Sequence, residues 1–290
     1  MYSMVGAAGV LGLSLCKWAL KNGAKHLVIT SCNPSVDPIF LSETQRLGAS
    51  VRVLLIDVTS QESVEGVAQC AMLLQDRLLL DMSSDELNGT LAAKVEGTEI
   101  LDFEFSQFEP SSAQQGDKPD FFVMLSSSAS TTNYHIGNLF ITSLAAARRA
   151  HGLAGSVIHI GHITGVGYIV KSKERTNHLV EHFDAIRLMR LSETDVHYAF
   201  AQAMRGGRLG SAILLNIALG IEPPTKPVPA GEVEGLESRI HWLRDPRLGD
   251  MTPVILLHGS DQAAAGGDAT AAGGSVRQWV EMQRVKRKRL

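Results

Sequence analysis

Residues 2–34 read YSMVGAAGVLGLSLCKWALKNGAKHLVITSCNP, and the fold is decided there. The apolar run Tyr2 to Val5 leads straight into Gly6, Gly9 and Gly12. Leu13 to Leu20 then has helical spacing, with Leu15, Trp18 and Leu20 on the packing side and Asn22-Gly23 closing it. A second apolar run, His26 to Thr30, ends in Ser31-Cys32-Asn33-Pro34, which is turn chemistry. Glycines between a strand and a helix let the backbone approach a pyrophosphate, with the helix N-terminus facing it. On its own the glycine pattern also fits an ordinary tight turn.

Outward from that stretch the alternation continues. A further helix leads to Gly48, and a third strand, Val51 to Ile56, ends in Asp57. Strand–helix–strand–helix–strand at this spacing predicts a doubly wound, parallel α/β sheet of the Rossmann-like kind. Helical patterns run from Ser83 to Phe103, and Asp102 to Asp120 reads as a polar surface loop. Phe121 to Leu125 reads as a buried strand running into Ser126-Ser127-Ser128. Phe140 to Arg149 reads as a helix, Ser156 to Ile160 and Ala212 to Ala218 as core strands, and Asn177 to Arg205 as two amphipathic helical stretches.

The sheet domain is expected over residues 1–222, followed by an irregular C-terminal extension. Prolines at 223, 224, 227 and 229 begin an extended segment (223–262), in which Met251 to Leu257 could be an edge strand. Residues 263–275 have linker composition, and 276–290 form a basic tail. That tail could be a nuclear signal or an anionic-surface contact, and reads more simply as solvated.

Across 290 residues, 44% are hydrophobic and 20% charged, enough for a sizeable core and against disorder over most of the length. The net charge of −3 gives no electrostatic reason for nucleic-acid binding. Cys16, Cys32 and Cys70 make neither a disulfide framework nor a zinc spacing, so a reduced, cytoplasmic setting is expected. No apolar run reaches the length of a membrane span, and the first residues read as strand rather than signal peptide. His159 and His162 flank Gly161 without a nearby carboxylate or cysteine, so no metal is expected.

The chain resembles the ketoreductase domain of fungal highly reducing polyketide synthases, in the short-chain dehydrogenase/reductase superfamily. The resemblance rests on residues 5–34 and on LGASVRVLLIDVTSQESV (47–64), AMLLQD (71–76), KVEGT (94–98), FFVMLSSSAS (121–130), YHIGNLFITSLAAARRAHGLAGSVIHIG (134–161) and GVGY (165–168). It implies reduction of a β-keto acyl thioester, carried on an acyl carrier domain, with hydride from NADPH (the NADP cofactor). It also implies Tyr134 as proton donor, Ser127 as a second contact to the ketone oxygen, and Lys94 and Asn138 as their support. Gly6, Gly9, Gly12 and Ser31 would contact the cofactor. Asp57 would meet an adenine amino group, or else cap the segment beginning Thr59-Ser60.

The chemistry suits these residue types. A phenol with an ordinary pKa of about 10 is a poor acid unless a nearby cation favours its ionised form. A serine hydroxyl can donate to a developing alkoxide. On residues alone, Lys94 reads equally as a solvated helix-face residue, Ser127 as a turn residue and Tyr134 as a core aromatic. The segment Gly165 to Tyr168 with Asn177 to Arg190 corresponds to the family's substrate lid, or is a surface helical hairpin.

The chain departs from the family at functional positions. Val10 stands where a glycine is usual. Cys32 stands where an arginine would hold the 2′-phosphate of NADPH, a contact worth about 1.5–3 kcal/mol. The family has a longer stretch between Val64 and Glu65, so the fourth strand would be Val67 to Leu73 at most, with Gln69 in place of asparagine and the sheet under threat. Ser127 and Tyr134 are seven residues apart, closer in sequence than in the family. Seven extended residues can span roughly 23–25 Å, so the pair can still meet. These departures lead to the expectation of a fragment with internal deletions, and to a second reading: a silent, ketoreductase-like structural or interaction module.

Overall fold

The computed structural model describes residues 1–33, 35–55, 66–72, 81–106, 119–127, 132–164, 188–208, 211 and 216–221. Asp57, the 165–187 lid segment and everything after 221 lie outside the described residues.

Seven strands form one sheet: β1 Tyr2–Val5, β2 His26–Ser31, β3 Ser50–Leu55, β4 Gly66–Gln69, β5 Phe121–Ser127, β6 Ser156–Ile160 and, at the far edge, β9 Asn216–Ala218. The short β7 His162–Ile163 and β8 Arg190–Leu191 lie between β6 and β9 in sequence. The sheet order is β3-β2-β1-β4-β5-β6-β9, parallel throughout. The helices are α1 Val10–Lys21, α2 Pro38–Arg46, α3 Ser84–Lys94, α4 Glu96–Ser106, α5 Thr132–Ala150 and α6 Glu193–Gly206. Order reverses between β1 and β4, the crevice where ligands of open α/β sheets bind at the strand C-termini.

Helices cover both faces because neighbouring residues of a strand point oppositely. Phe121 turns towards α6, where its ring stands 6.4 Å from that of Phe200. Phe122 turns the other way, into a core with Val67, Leu101, Met124, Ile141, Ala145 and Val157. With both faces covered, the central strands are apolar runs rather than alternating ones, as in β5, which is buried from Phe121 to Ser126. On the first face Ser14 of α1 donates to Glu193 of α6 and lies 2.7 Å from His197 Nε2, tying the two helices together.

Several expectations are corrected. The helical region 83–103 is two helices broken at Val95, and Lys94 is the last residue of the first. Asp102 belongs to α4, not to a surface loop. There it pairs with the buried Arg148, whose guanidinium also lies 3.9 Å from the Phe122 ring centre. The α5 helix starts eight residues earlier than the alanine-rich run suggests (140 against 132), which places Tyr134 and Asn138 on it.

The shortened fourth strand does not break the sheet. Gly66–Gln69 spans four residues, and each is in register with β1 on one side and β5 on the other. A Cβ on Gly66 would come within 2.2 Å of the Phe121 ring. The missing side chain leaves room for Tyr2 and Phe121 to meet edge-to-face, ring centres 5.0 Å apart.

The region just described belongs to one compact unit, Met1–Lys171 with Leu191–Leu219. A second unit comprises Ser172–Arg190 and Gly220–Leu290. Its described part is a single strand-like contact, with the Met189 N–H donating to Gly220 O at 2.8 Å.

Candidate active site

The glycine turn follows β1. Gly6 has φ +69, a left-handed conformation, and donates its N–H to Thr30 O at 2.8 Å. A Cβ there would lie 2.5 Å from Ala71 Cα, so the turn packs directly on the chain leaving β4. A Cβ on Gly12 would lie 2.4 Å from Ala7 Cα, so this glycine lets α1 close against the turn. Gly9 differs. It is the N-cap of α1, no side chain caps that end, and nothing lies within 4 Å of where its Cβ would be. An uncapped helix N-terminus with open space over its glycine suits an anionic group such as a pyrophosphate.

Ser31 closes β2, and its Oγ accepts from the Asn33 N–H at 3.1 Å. Cys32 beside it is exposed, and so, at 48% of its surface, is Val10 at the first position of α1. Asp57 lies outside the described residues.

The second cluster is built from α3, α5 and β5. Lys94 is only 2% exposed, and its ammonium donates to Leu125 O, two residues before Ser127. The same Nζ lies 5.1 Å from the ring centre of the buried Tyr134. Burial pushes the Lys94 ammonium down to about 8. Burial also pushes the nearby Cys70 thiol up to about 12, so that side chain is a neutral neighbour.

Asn138, one helical turn after Tyr134, is 2% exposed, and among the described residues neither end of its amide has a hydrogen-bond partner. A buried polar group in that state calls for water or a ligand. The structure therefore brings Lys94 and Tyr134 together, puts Asn138 on the same helix, and sets Ser127 at the end of the strand that Lys94 holds. Residues 128–131 between Ser127 and Tyr134 lie outside the described residues.

Two further contributors emerge: one the sequence reading missed, and one whose role it did not assign. Gly137 is the first: a Cβ there would come 2.9 Å from Lys94 Cβ, so the bare backbone lets α5 lie against α3. A glycine inside a helix costs about 1 kcal/mol against alanine, and that cost was the available signal. Gln69 is the second. It is 1% exposed, and its side chain accepts from the Ala71 N–H at 2.8 Å and donates to Ala93 O and Thr98 Oγ1 at 3.2 Å each.

Known proteins resemble this chain in sequence and in fold. The family model described as KR domain matches residues 1–165. A hybrid PKS-NRPS synthetase of Talaromyces variabilis is 47% identical over 97% of this chain, which spans 7% of that protein's length. Tenellin synthetase of Beauveria bassiana (strain ARSEF 2860) is 43% identical over 91% of the chain and 6% of its own. A highly reducing polyketide synthase of Alternaria alternata is 37% identical over 76% and 9% respectively.

Among solved structures, A-type ketoreductases from a modular polyketide synthase superpose with a TM-score of 0.62 at 20% identity, covering 76% of this chain and 47% of theirs. A 3-oxoacyl-[acyl-carrier protein] reductase from Brucella melitensis, solved in complex with NAD, superposes at 0.55 with 16% identity, covering 75% and 94%. These last two show the fold. With the Rossmann-like sheet, the glycine turn and the family match in agreement, the chain belongs to the KR family, the ketoreductase domain of fungal polyketide synthases.

Proposed function

We propose that the chain reduces a β-keto acyl thioester to the β-hydroxy acyl thioester, using NADPH, within polyketide biosynthesis. The observation that carries this reading is the buried Lys94 ammonium beside Tyr134, held there by Leu125 O. A cation fixed against a phenol favours its ionised form and so eases release of its proton. In this reading Tyr134 gives the proton to the ketone oxygen and Ser127 donates a hydrogen bond to the same atom. Asn138, whose buried amide awaits a partner, holds water through which Tyr134 is reprotonated. Gly6, Gly9 and Gly12 seat the pyrophosphate on α1, Ser31 contacts the adenosine ribose end, and Asp57 accepts from the adenine amino group. Bound NADPH supplies the hydride.

An acyl carrier domain bearing the thioester is the proposed partner, together with other polyketide synthase domains, in the cytoplasm. Among the described residues no helix is long and apolar enough to cross a membrane.

A second reading has its own observation. Val10 presents a branched side chain at the start of α1, and Cys32 presents no charge where the 2′-phosphate would lie. A silent structural or interaction module would tolerate both. Fluorescence titration of NADPH into the folded chain decides between the readings. Saturation at micromolar NADPH followed by turnover of a β-keto thioester surrogate supports the reductase; no binding up to millimolar NADPH leaves the silent module.

A further inference from the structure

We infer that Gln69 is a positioning residue that locks the glycine turn and Lys94 to one another through a single buried amide. This inference rests on the reading of Lys94 and Tyr134 as the reactive pair, and it reaches a residue that touches neither. On one side, Gln69 Oε1 accepts from the Ala71 N–H at 2.8 Å, and Ala71 is the residue on which Gly6 packs. The neighbouring Cys70 N–H donates to Val5 O at 2.8 Å, which pins the same segment to the end of β1. On the other side, Gln69 Nε2 donates to Ala93 O and Thr98 Oγ1, and Thr98 Oγ1 donates to Lys94 O at 2.6 Å. Ala93, Lys94 and Thr98 form the junction of α3 and α4, where the helix breaks at Val95.

Both ends of the amide are engaged: Nε2 donates twice and Oε1 accepts once. Its oxygen faces the cofactor side and its nitrogen faces the lysine side, each matched by the complementary backbone or hydroxyl group. Thr98 is completely buried, so no water replaces a lost bond there. The resemblance implies asparagine at this position, one methylene shorter; the glutamine spans from β4 to the helix junction. Lys94 can meet Tyr134 only if that junction keeps its place, because its ammonium has a fixed anchor at Leu125 O.

The test uses the full 290-residue chain. Gln69→Leu removes both sides of the lock. Thr98→Val removes the Thr98 bonds to Gln69 and to Lys94 O, and keeps the Ala93 and Ala71 bonds. Val196→Ala, a core change on α6 far along the chain, serves as a control for general loss of stability. Amide hydrogen exchange at Ala71 and acetylation of Lys94 by acetic anhydride, resolved by mass spectrometry, are read well below each melting temperature. Gln69→Leu should raise both rates by about tenfold or more, the equivalent of one lost buried hydrogen bond. Thr98→Val should raise only the Lys94 rate, and Val196→Ala neither. With turnover present, Thr98→Val should lower kcat with little change in the KM for NADPH, whereas Gln69→Leu should alter both.

The inference is overturned if Gln69→Leu leaves both rates at the level of the control. Should Gln69→Leu fail to fold, an unchanged Lys94 acetylation rate in Thr98→Val overturns it equally. A wild-type chain that binds no NADPH while Gln69→Leu still loosens Ala71 and Lys94 sinks the reductase reading and leaves the lock in place.

Discussion

The glycine turn and the Lys94–Tyr134 cluster both lie at C-terminal ends of strands of the sheet but are built by opposite means. The turn is local: within seven residues it places Gly6, Gly9 and Gly12, and two of the three are required by backbone contacts to Ala71 and Ala7. The cluster is assembled from three separate elements, and its central contact joins residues forty positions apart, 94 and 134. The departures that the resemblance implies sort the same way. Near the glycine turn, Val10 and Cys32 are exposed. Beside Lys94, Gln69 is buried and bonds through both ends of its amide. Folding constrains the second kind of change tightly and the first kind hardly at all.

The largest effect that would sharpen this contrast is on chemistry. Tyr134→Phe should lower turnover of a β-keto thioester surrogate by about 10²–10⁴, the usual weight of a positioned acid. NADPH affinity should be unchanged. A variant with near wild-type turnover would break the assignment of the proton donor.

Next is the pH dependence carried by Lys94. Burial lowers its ammonium from 10.5 to about 8, so between those values the unfolded chain binds more protons than the folded one. Stability contributed by this group therefore rises with pH through that window. In denaturant unfolding series, wild type should gain on the order of 3 kcal/mol relative to Lys94→Met between pH 8 and 10.5. Turnover should move the other way, falling above about pH 8 as the cation is lost. Parallel unfolding curves for the two proteins would show that Lys94 is not buried as described.

Restoring the cofactor side should have a smaller effect. Cys32→Arg should tighten NADPH by about 1.5–3 kcal/mol, roughly ten- to a hundredfold, and leave NADH binding nearly unchanged. Equal gains for the two cofactors would mean that position 32 does not face the 2′-phosphate. The smallest contrast is within the turn itself. Gly12→Ala should cost about 1–3 kcal/mol in thermal unfolding because its Cβ meets backbone. Gly9→Ala should cost less than about 1 kcal/mol as a poorer N-cap, yet weaken NADPH binding. If the two cost the same stability, the open space over Gly9 is not a ligand's place.

Much of the fold was readable in the residues because its signals are short-range. Apolar runs ended by glycine or turn chemistry marked β1, β2, β5 and β6 within a residue or two of their observed bounds. The helix starts were read less closely, although reciprocal Ser83–Glu86 and Ser192–Asp195 boxes cap two of them in the structure. The α5 start was read too late because Tyr134, His135 and Ile136 carry no strong helix signal, and packing on α3 decides their conformation. Asp102 was read as loop because it opens the Gln/Ser-rich stretch that runs to Asp120; its partner Arg148 is 46 residues away.

The sequence by itself determined the alternation of strands and helices, the glycine turn at a helix start, and, through matched blocks, the family. Those follow from hydrophobic period and backbone stereochemistry, which act between near neighbours. Only the tertiary structure decided that a four-residue β4 still completes the sheet, with Tyr2 and Phe121 closing over Gly66. Only it decided that Gly137 admits Lys94 and that Gln69 ties the two halves of the crevice together. Such contacts depend on where distant segments come to rest, and the dense packing that sets those positions is a property of the whole core.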